Sequence, residues 1–440
     1  MRALRPILLA CLPVTAAWIS AAAADKIDSK HLVTGPAAFG NAPSLKPGTY
    51  HKITAADLPA PFATESSRNN AKMVPRPNNA WPQAPAGFQV DLYVTKLDQP
   101  RKILTAPNGD FFVADSRQGA IQIFRGRDAD GRPMRTSTFA KGLRQPFGIA
   151  FYPAGANPQW VYVGNTNSVV RFAYRNGDME AAGHAETVVP ELPAGGGHWT
   201  RDLAVSKDGK SLFVAVGSAS NINDPDSNPN ETHRANILEY TPDGKFVGVY
   251  ASGIRNPVGL GINPATGELW CSTNERDALG DNLVPDYITH VQRGGFYGWP
   301  YYYIGNHPDP RLEGKHPELK DKVIVPDVLM TPHNASLALT FLRRYAVSAG
   351  IPRRSVCGRA RVLESVDAVR LRSGARASGR RPCQRRVSGF SDGFRAAERR
   401  CVGPAGGGRS SPGRRVDGDR RRIRIHLAHH VRREIRSSHG

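Results

Sequence analysis

The sequence predicts an all-β protein of the β-propeller class, and three observations carry that expectation. Apolar residues come in short runs of strand length, and those over residues 88–94 alternate cleanly with polar ones. A strand–turn–strand formula recurs, with Pro100, Pro146, Thr200 and Pro257 opening its copies at intervals of 46, 54 and 57 residues. No stretch between those strands offers the long amphipathic pattern of a crossover helix. Four short strands in each 40 to 60 residues is the signature of a propeller blade.

The elements follow in chain order. Arg2 and Arg5 precede a mostly apolar run over residues 7–19, and residues 20–24 are small. That pattern reads as a secretory signal covering residues 1–24, implying a periplasmic or secreted protein with no transmembrane segment after cleavage. Residues 25–80 are rich in Pro, Ala, Asn and Lys and read as an extended N-terminal arm. Residues 88–94 alternate as a half-buried strand, and the propeller is expected over 81–341. Each unit starts with an apolar strand, as in Gly148-Ile-Ala-Phe-Tyr, then a Pro/Asn/Asp-Gly turn, then a second strand such as Trp160-Val-Tyr-Val. A further unit is expected through residues 285–291, 294–300 and 323–328, and the last recognisable strand is 336–341.

Charge separates the rest. The chain carries a formal net charge of +21, which normally suggests a polyanionic partner. Residues 343–440, however, hold 26 arginines, no lysine and 7 acidic residues, a net of +19, which leaves +2 for the first 342 residues. Nucleic-acid binding is therefore not expected of the patterned part. Arginine and glycine enrichment with loss of lysine, starting inside a strand pattern, is what a GC-rich coding sequence read in a shifted frame produces. A basic tail that binds polyanions is the alternative. Residues 342–440 are expected to be aberrant or unstructured.

The stretch Gly195-Gly-Gly-His-Trp-Thr-Arg-Asp-Leu places His198 at the mouth of a hairpin built from residues 203–205 and 212–216. A histidine held there is placed for general-base work, or caps a strand end. Arg255 and Asn256 stand at the matching opening of the next unit, and a guanidinium fork suits a planar anion. The loop 272–282 gathers Asn274, Glu275, Asp277, Asp281 and Asn282, and residues 221–230 include Asp224 and Asp226. Such loops hold Ca²⁺ or simply turn the chain; neither has the EF-hand spacing. There is no zinc spacing of Cys and His, no Cys-x-x-Cys-His and no Gly-x-x-x-x-Gly-Lys-Ser/Thr phosphate-binding loop. Cys271 alone lies in the patterned region, so no disulfide framework is expected.

Taken together, residues 146–152, 169–172, 195–203, 217–221, 255–260, 274–277, 283–287 and 294–300 resemble the sorbosone dehydrogenase family. That family is related to the soluble pyrroloquinoline quinone (PQQ) glucose and aldose-sugar dehydrogenases. The resemblance covers about residues 80–341. It implies six blades, PQQ and Ca²⁺ on one face, and a sugar or sugar-aldehyde substrate with an external electron acceptor such as a cytochrome or quinone. It gives His198 the general-base role, Arg255 a place beside quinone and substrate, and Asn256, Asn274 and Glu275 contacts to the cofactor, with no individual metal ligand assigned. The glucose-oxidising relatives have an aspartate before the base where this chain has Gly197, so something else must orient His198. The expected function is PQQ-dependent oxidation of a sugar or sugar aldehyde by hydride transfer. The alternatives are a non-catalytic sugar- or protein-binding propeller, or an inactive frame-shifted copy of the enzyme.

Overall fold

The computed structural model describes residues 31–40, 49–67, 74–82, 84 and 88–342, together with three short strands at Arg361–Ser365, Val387–Ser388 and Ile423–Ile425. The expected signal peptide and almost all of the arginine-rich segment lie outside the described residues.

Four antiparallel sheets follow one another around an axis. The first is Pro100–Thr105, Phe111–Asp115, Ala120–Arg125 and Arg135–Ala140; the second is Gly148–Tyr152, Trp160–Asn165, Ser168–Ala173 and Glu186–Val189. The third is Leu203–Val205, Leu212–Val216, Asn236–Tyr240 and Phe246–Ser252, with Gly295–Phe296 added in parallel at its outer edge. The fourth is Pro257–Ile262, Leu269–Thr273, Tyr287–His290 and Val328–Leu329. The strand Ala338–Leu342 then opens a further sheet by pairing with Arg361–Ser365.

The expected six blades are thus corrected to four clear ones among the described residues. The sequence formula itself recurs only four times; the number six came with the resemblance. The expected further unit is also redistributed. Tyr287–His290 and Val328–Leu329 complete the fourth sheet, while the glycine-rich stretch between them reaches back to the third. Spacing alone could not show that a long excursion separates two strands of one blade. The strand expected over 88–94 shortens to Phe88–Val90.

Apolar faces meet between successive sheets. Phe112 and Phe139 of the first pack with Ile149 and Val163 of the second; Tyr162 and Val169 of the second pack with Leu212 and Val214 of the third. Phe213 and Ile237 of the third meet Leu260 and Cys271 of the fourth. The alternation along each strand therefore fills two interfaces at once, one per face. Burying these side chains contributes roughly 1.5–3 kcal/mol each. Cys271 is buried and free, and its thiol is pushed up to about 12 by burial first.

The segments that lead into the inner strands come together. There Phe147, Val258 and Leu337, buried, and Trp199, partly buried, form an apolar cluster drawn from the second, fourth, next and third units. Close by in the chain, Lys102 Nζ of the first sheet reaches Asp202 Oδ2 at 2.6 Å, with both side chains almost fully buried. The same carboxylate accepts from Leu260 N at 2.7 Å and Leu203 N at 2.9 Å. Gly148 has no Cβ because one would collide with the Arg201 carbonyl and with Leu203, where the third unit presses on the second.

Residues of the N-terminal segment lie against this assembly. Leu32–Thr34 and Tyr50–Lys52 pair in parallel, Ala38, Phe39 and Ile53 enter the apolar cluster of the third and fourth sheets, and Phe62 N donates to Leu279 O.

Candidate active site

The residues singled out in the sequence converge where the inner strands of the third and fourth sheets begin. His198 lies five residues ahead of Leu203–Val205, and Arg255 and Asn256 immediately precede Pro257–Ile262. Asn274 and Glu275 follow the second strand of the fourth sheet, which ends at Thr273 beside Pro257. Antiparallel pairing therefore brings the two segments of the fourth sheet to one end. Gly217 joins the third sheet to them: a Cβ there would collide with both Asn256 Oδ1 and His198 Cβ.

Ser218 orients His198. The ring Nδ1 lies 2.8 Å from the Ser218 carbonyl oxygen and 3.0 Å from the Ser218 hydroxyl, and that hydroxyl donates to Ser220 O at 2.5 Å. A carbonyl oxygen only accepts, so Nδ1 carries the proton of the neutral ring and the Nε2 lone pair is left as acceptor. Burial, then the Arg255 charge, lowers the His198 pKa to about 4. The imidazole is therefore neutral at pH 7, the state a base requires.

Two buried arginines fasten this segment, and the sequence reading assigned neither. Arg234 donates to the carbonyls of Gly217 (2.9 Å), Gly195 (2.7 Å), Ala194 (3.3 Å) and His198 (3.0 Å). Arg201 donates to His198 O (3.0 Å), Thr200 O (2.6 Å) and Pro193 O. Both have pKa values lowered by burial first, with their mutual repulsion also lowering that of Arg201. Their positions in the sequence look like surface arginines; only a folded loop shows that its carbonyls turn inward.

Arg255 is fully engaged. Its Nε donates to Asn221 O (3.1 Å); Nη1 donates to Asn274 O (3.2 Å) and Glu275 O (2.7 Å); Nη2 donates to Asn221 Oδ1 (2.9 Å) and Asp277 Oδ2 (3.2 Å). A guanidinium has five N–H groups, and five acceptors surround this one. Asn256 differs: its Nδ2 reaches Asn274 Oδ1 at 3.4 Å, while its Oδ1 is buried without a partner. Asn274 Nδ2 donates to Ser336 O at 2.9 Å. The Glu275 carboxyl is buried and pushed up to about 7, by burial first and against the pull of Arg255.

The acidic residues considered for a metal disperse. Asp277 pairs with Arg255 and His333, Asp281 accepts from Ser67 N, Asp224 pairs with Lys315 and Tyr301, and Asp226 pairs with His316. Among the described residues no group of three or more His, Cys, Asp or Glu side chains is arranged to hold a metal ion. The backbone oxygens of Asn274 and Glu275 face the Arg255 guanidinium, so a divalent cation there would meet a like charge. In this arrangement that donor pair does not fit Ca²⁺. The buried, partnerless Asn256 carbonyl and the His198 Nε2 lone pair would suit a ligand that presents N–H or O–H groups.

With this geometry in view, likeness to known proteins becomes informative. Residues 82–290 match the model of a family described as TrAA12-like. The aldose sugar dehydrogenase YliI of Escherichia coli is 24% identical over 243 residues, covering 49% of this chain and 63% of that protein. A pyrroloquinoline quinone-dependent sugar dehydrogenase of Hypocrea jecorina is 25% identical over 250 residues, covering 50% of this chain and 57% of that protein. The chain thus spans less than two thirds of either relative. The iodide and calcium structures of the Trichoderma reesei carbohydrate-active enzyme family AA12 superpose with TM-scores of 0.54 and 0.53. Each is 20% identical and covers 72% of this chain, and the match spans 88% and 87% of those chains respectively. The chain is thus distantly similar to a PQQ-dependent sugar dehydrogenase and to an aldose sugar dehydrogenase. No described helix is long and apolar enough to cross a membrane.

Proposed function

We propose that this chain derives from a periplasmic or secreted PQQ-dependent oxidoreductase that oxidises a sugar or sugar aldehyde, of the sorbosone or aldose type, and passes the electrons to an external acceptor. The observation that carries the reading is a neutral His198 whose Nδ1 is committed to Ser218 and whose Nε2 is left to accept. In that reading His198 removes the proton of the substrate hydroxyl as the carbon–hydrogen bond breaks. Ser218 holds the ring in the tautomer that permits this. Asn256 offers its unpartnered carbonyl oxygen to a donor on the bound quinone or substrate. When bound, the quinone supplies a two-electron acceptor for the hydride. Arg255 contributes its fixed positive charge beside the site, since its N–H groups are already engaged. Ca²⁺ at Asn274 and Glu275 would require Arg255 to give way.

One observation favours a second reading, an inactive copy. Residues 343–440 contain 26 arginines and no lysine, which supports a shifted reading frame across the part of the chain that follows the fourth blade. A sheet left incomplete there exposes an unpaired edge.

Reconstitution of the full chain with PQQ, with and without Ca²⁺, followed by dye reduction with a panel of aldoses, separates the two. Turnover abolished by His198→Gln supports the enzyme; retained folding without PQQ binding or turnover supports the inactive copy. Sugar binding without turnover would instead point to a non-catalytic propeller.

A further inference from the structure

Asn221 belongs to no strand and is assigned no role by any likeness described above, yet it sits at the junction of the two blades that form the site. Its backbone oxygen accepts from Arg255 Nε (3.1 Å) and from Trp299 Nε1 (3.0 Å). Its side-chain Oδ1 accepts from Arg255 Nη2 (2.9 Å) and from the backbone N of Asp277 (2.9 Å). Its Nδ2 donates to the backbone oxygen of Asp277 (3.0 Å). The amide thus pairs with the N–H and the C=O of one residue, Asp277, as a neighbouring strand would, while Asn221 offers Arg255 one side-chain and one backbone acceptor. Few side chains can do this: an acceptor and a donor must project together from one short stem.

We propose that Asn221 is a positioning residue that locks the loop of the third blade onto the fourth and thereby fixes the Arg255 guanidinium beside His198. Three observations support it. Arg255 takes two of its five hydrogen bonds from this one residue. The Arg255 carbonyl in turn accepts from Ser218 N at 2.8 Å, and Ser218 is the residue that holds His198. The Asp277 carboxylate, the other side-chain partner of Arg255, is largely exposed and shared with His333, so it is the weaker restraint.

The charges that face His198 are Arg255 and Arg234, which disfavour its protonation, and Asp277, which favours it; the Ser218 backbone contact also favours it. Releasing Arg255 should therefore let the ring protonate more easily, whereas neutralising Asp277 should do the opposite. The catalytic meaning rests on His198 being the base proposed above. The titration needs no turnover, so failure of the positioning role and failure of that reading are distinguishable.

The test uses the full chain with labelled histidine and follows the His198 ring resonances by NMR from pH 3 to 8. Asn221→Ala is expected to raise the midpoint by about half a pH unit or more, and Asp277→Asn to lower it. General loosening of the loop would admit water to the ring and raise both midpoints, which would overturn the proposal. An unmoved midpoint in Asn221→Ala would overturn it too, even with a lower melting temperature. Should Asn221→Ala not fold, Asn221→Ser, which keeps an oxygen on a shorter stem, is read by the same criteria.

Discussion

His198 and Ser218 form the pair on which the site turns: Nδ1 is held 2.8 Å from a carbonyl oxygen and 3.0 Å from a hydroxyl of the same residue. Gln at position 198 keeps a hydrogen-bonding amide but has no basic nitrogen. His198→Gln is expected to lower turnover of the reconstituted protein by roughly 10²–10⁴ while leaving its melting temperature within a few degrees. Steady-state kinetics beside a thermal melt checks this. Parallel loss of folding and activity would show a structural histidine instead.

The acid limb of activity should lie well below the usual histidine range. Burial first, and then Arg255, bring the His198 pKa from 6.5 to about 4 in the folded chain. As pH falls below 6.5 the unfolded chain binds this proton first, so His198 favours unfolding progressively between pH 6.5 and 4 and contributes nothing above that window. The wild type should therefore lose more stability than His198→Gln on going from pH 7 to 4.5, measured as the difference in chemical-denaturation midpoints. Equal losses would contradict the lowered pKa.

Arg255→Lys keeps the charge but cannot reproduce five N–H contacts. An ammonium group has three donors, so at least two of the five acceptors around it lose their partner. A stability loss of about 1–3 kcal/mol is expected, together with weaker ligand retention. The His198 midpoint should rise as well, since the ammonium keeps the charge but not its fixed place beside the ring. Wild-type stability and kinetics in the variant would remove Arg255 from the site's framework.

The buried pair Lys102–Asp202 should be costly to break on one side only. Lys102→Met leaves a carboxylate that is fully buried with two backbone donors and no cation. A loss of about 3–5 kcal/mol is expected in denaturant unfolding, and adding Asp202→Asn should recover part of it. Additive losses in the double variant would show that the two side chains do not depend on each other.

Limited proteolysis tests the shifted frame proposed for residues 343–440. Cleavage should begin after about residue 342 and leave a core of the four blades, detected by mass spectrometry. The DNA read in the other frame should encode strand–turn–strand sequence with lysines and aspartates. Protection extending evenly to Gly440 would oppose the proposal.

Much of the blade architecture was legible because it rests on local pattern. Short, nearly unbroken apolar runs such as Phe111–Asp115 and Leu212–Val216 mark strands buried on both faces, and the Pro-opened formula marks where inner strands begin. His198, Arg255 and Asn256 were legible for the same reason, since they occupy matching openings of adjacent units. What orients His198 was not: the Ser218 contact is made across the end of a hairpin, and its sequence offers only another small polar residue. Arg234 and Arg201 were missed because their partners are carbonyl oxygens, which every residue has. The excursion of residues 291–327 hid the fourth strand at Val328–Leu329 from any argument based on spacing.

The contacts of Asp202 also bear on the order in which the molecule comes apart. In repeat architectures whose units touch only their neighbours, one end can fray while the rest stands. Here a carboxylate of the third blade is bound by a lysine of the first and a backbone amide of the fourth, so the second blade is enclosed by a clasp that passes over it. Unzipping from the first blade inward must break that clasp at its first step. Amides of the innermost strands of all four blades are accordingly expected to exchange with deuterium at one common slow rate, released together in a single cooperative opening.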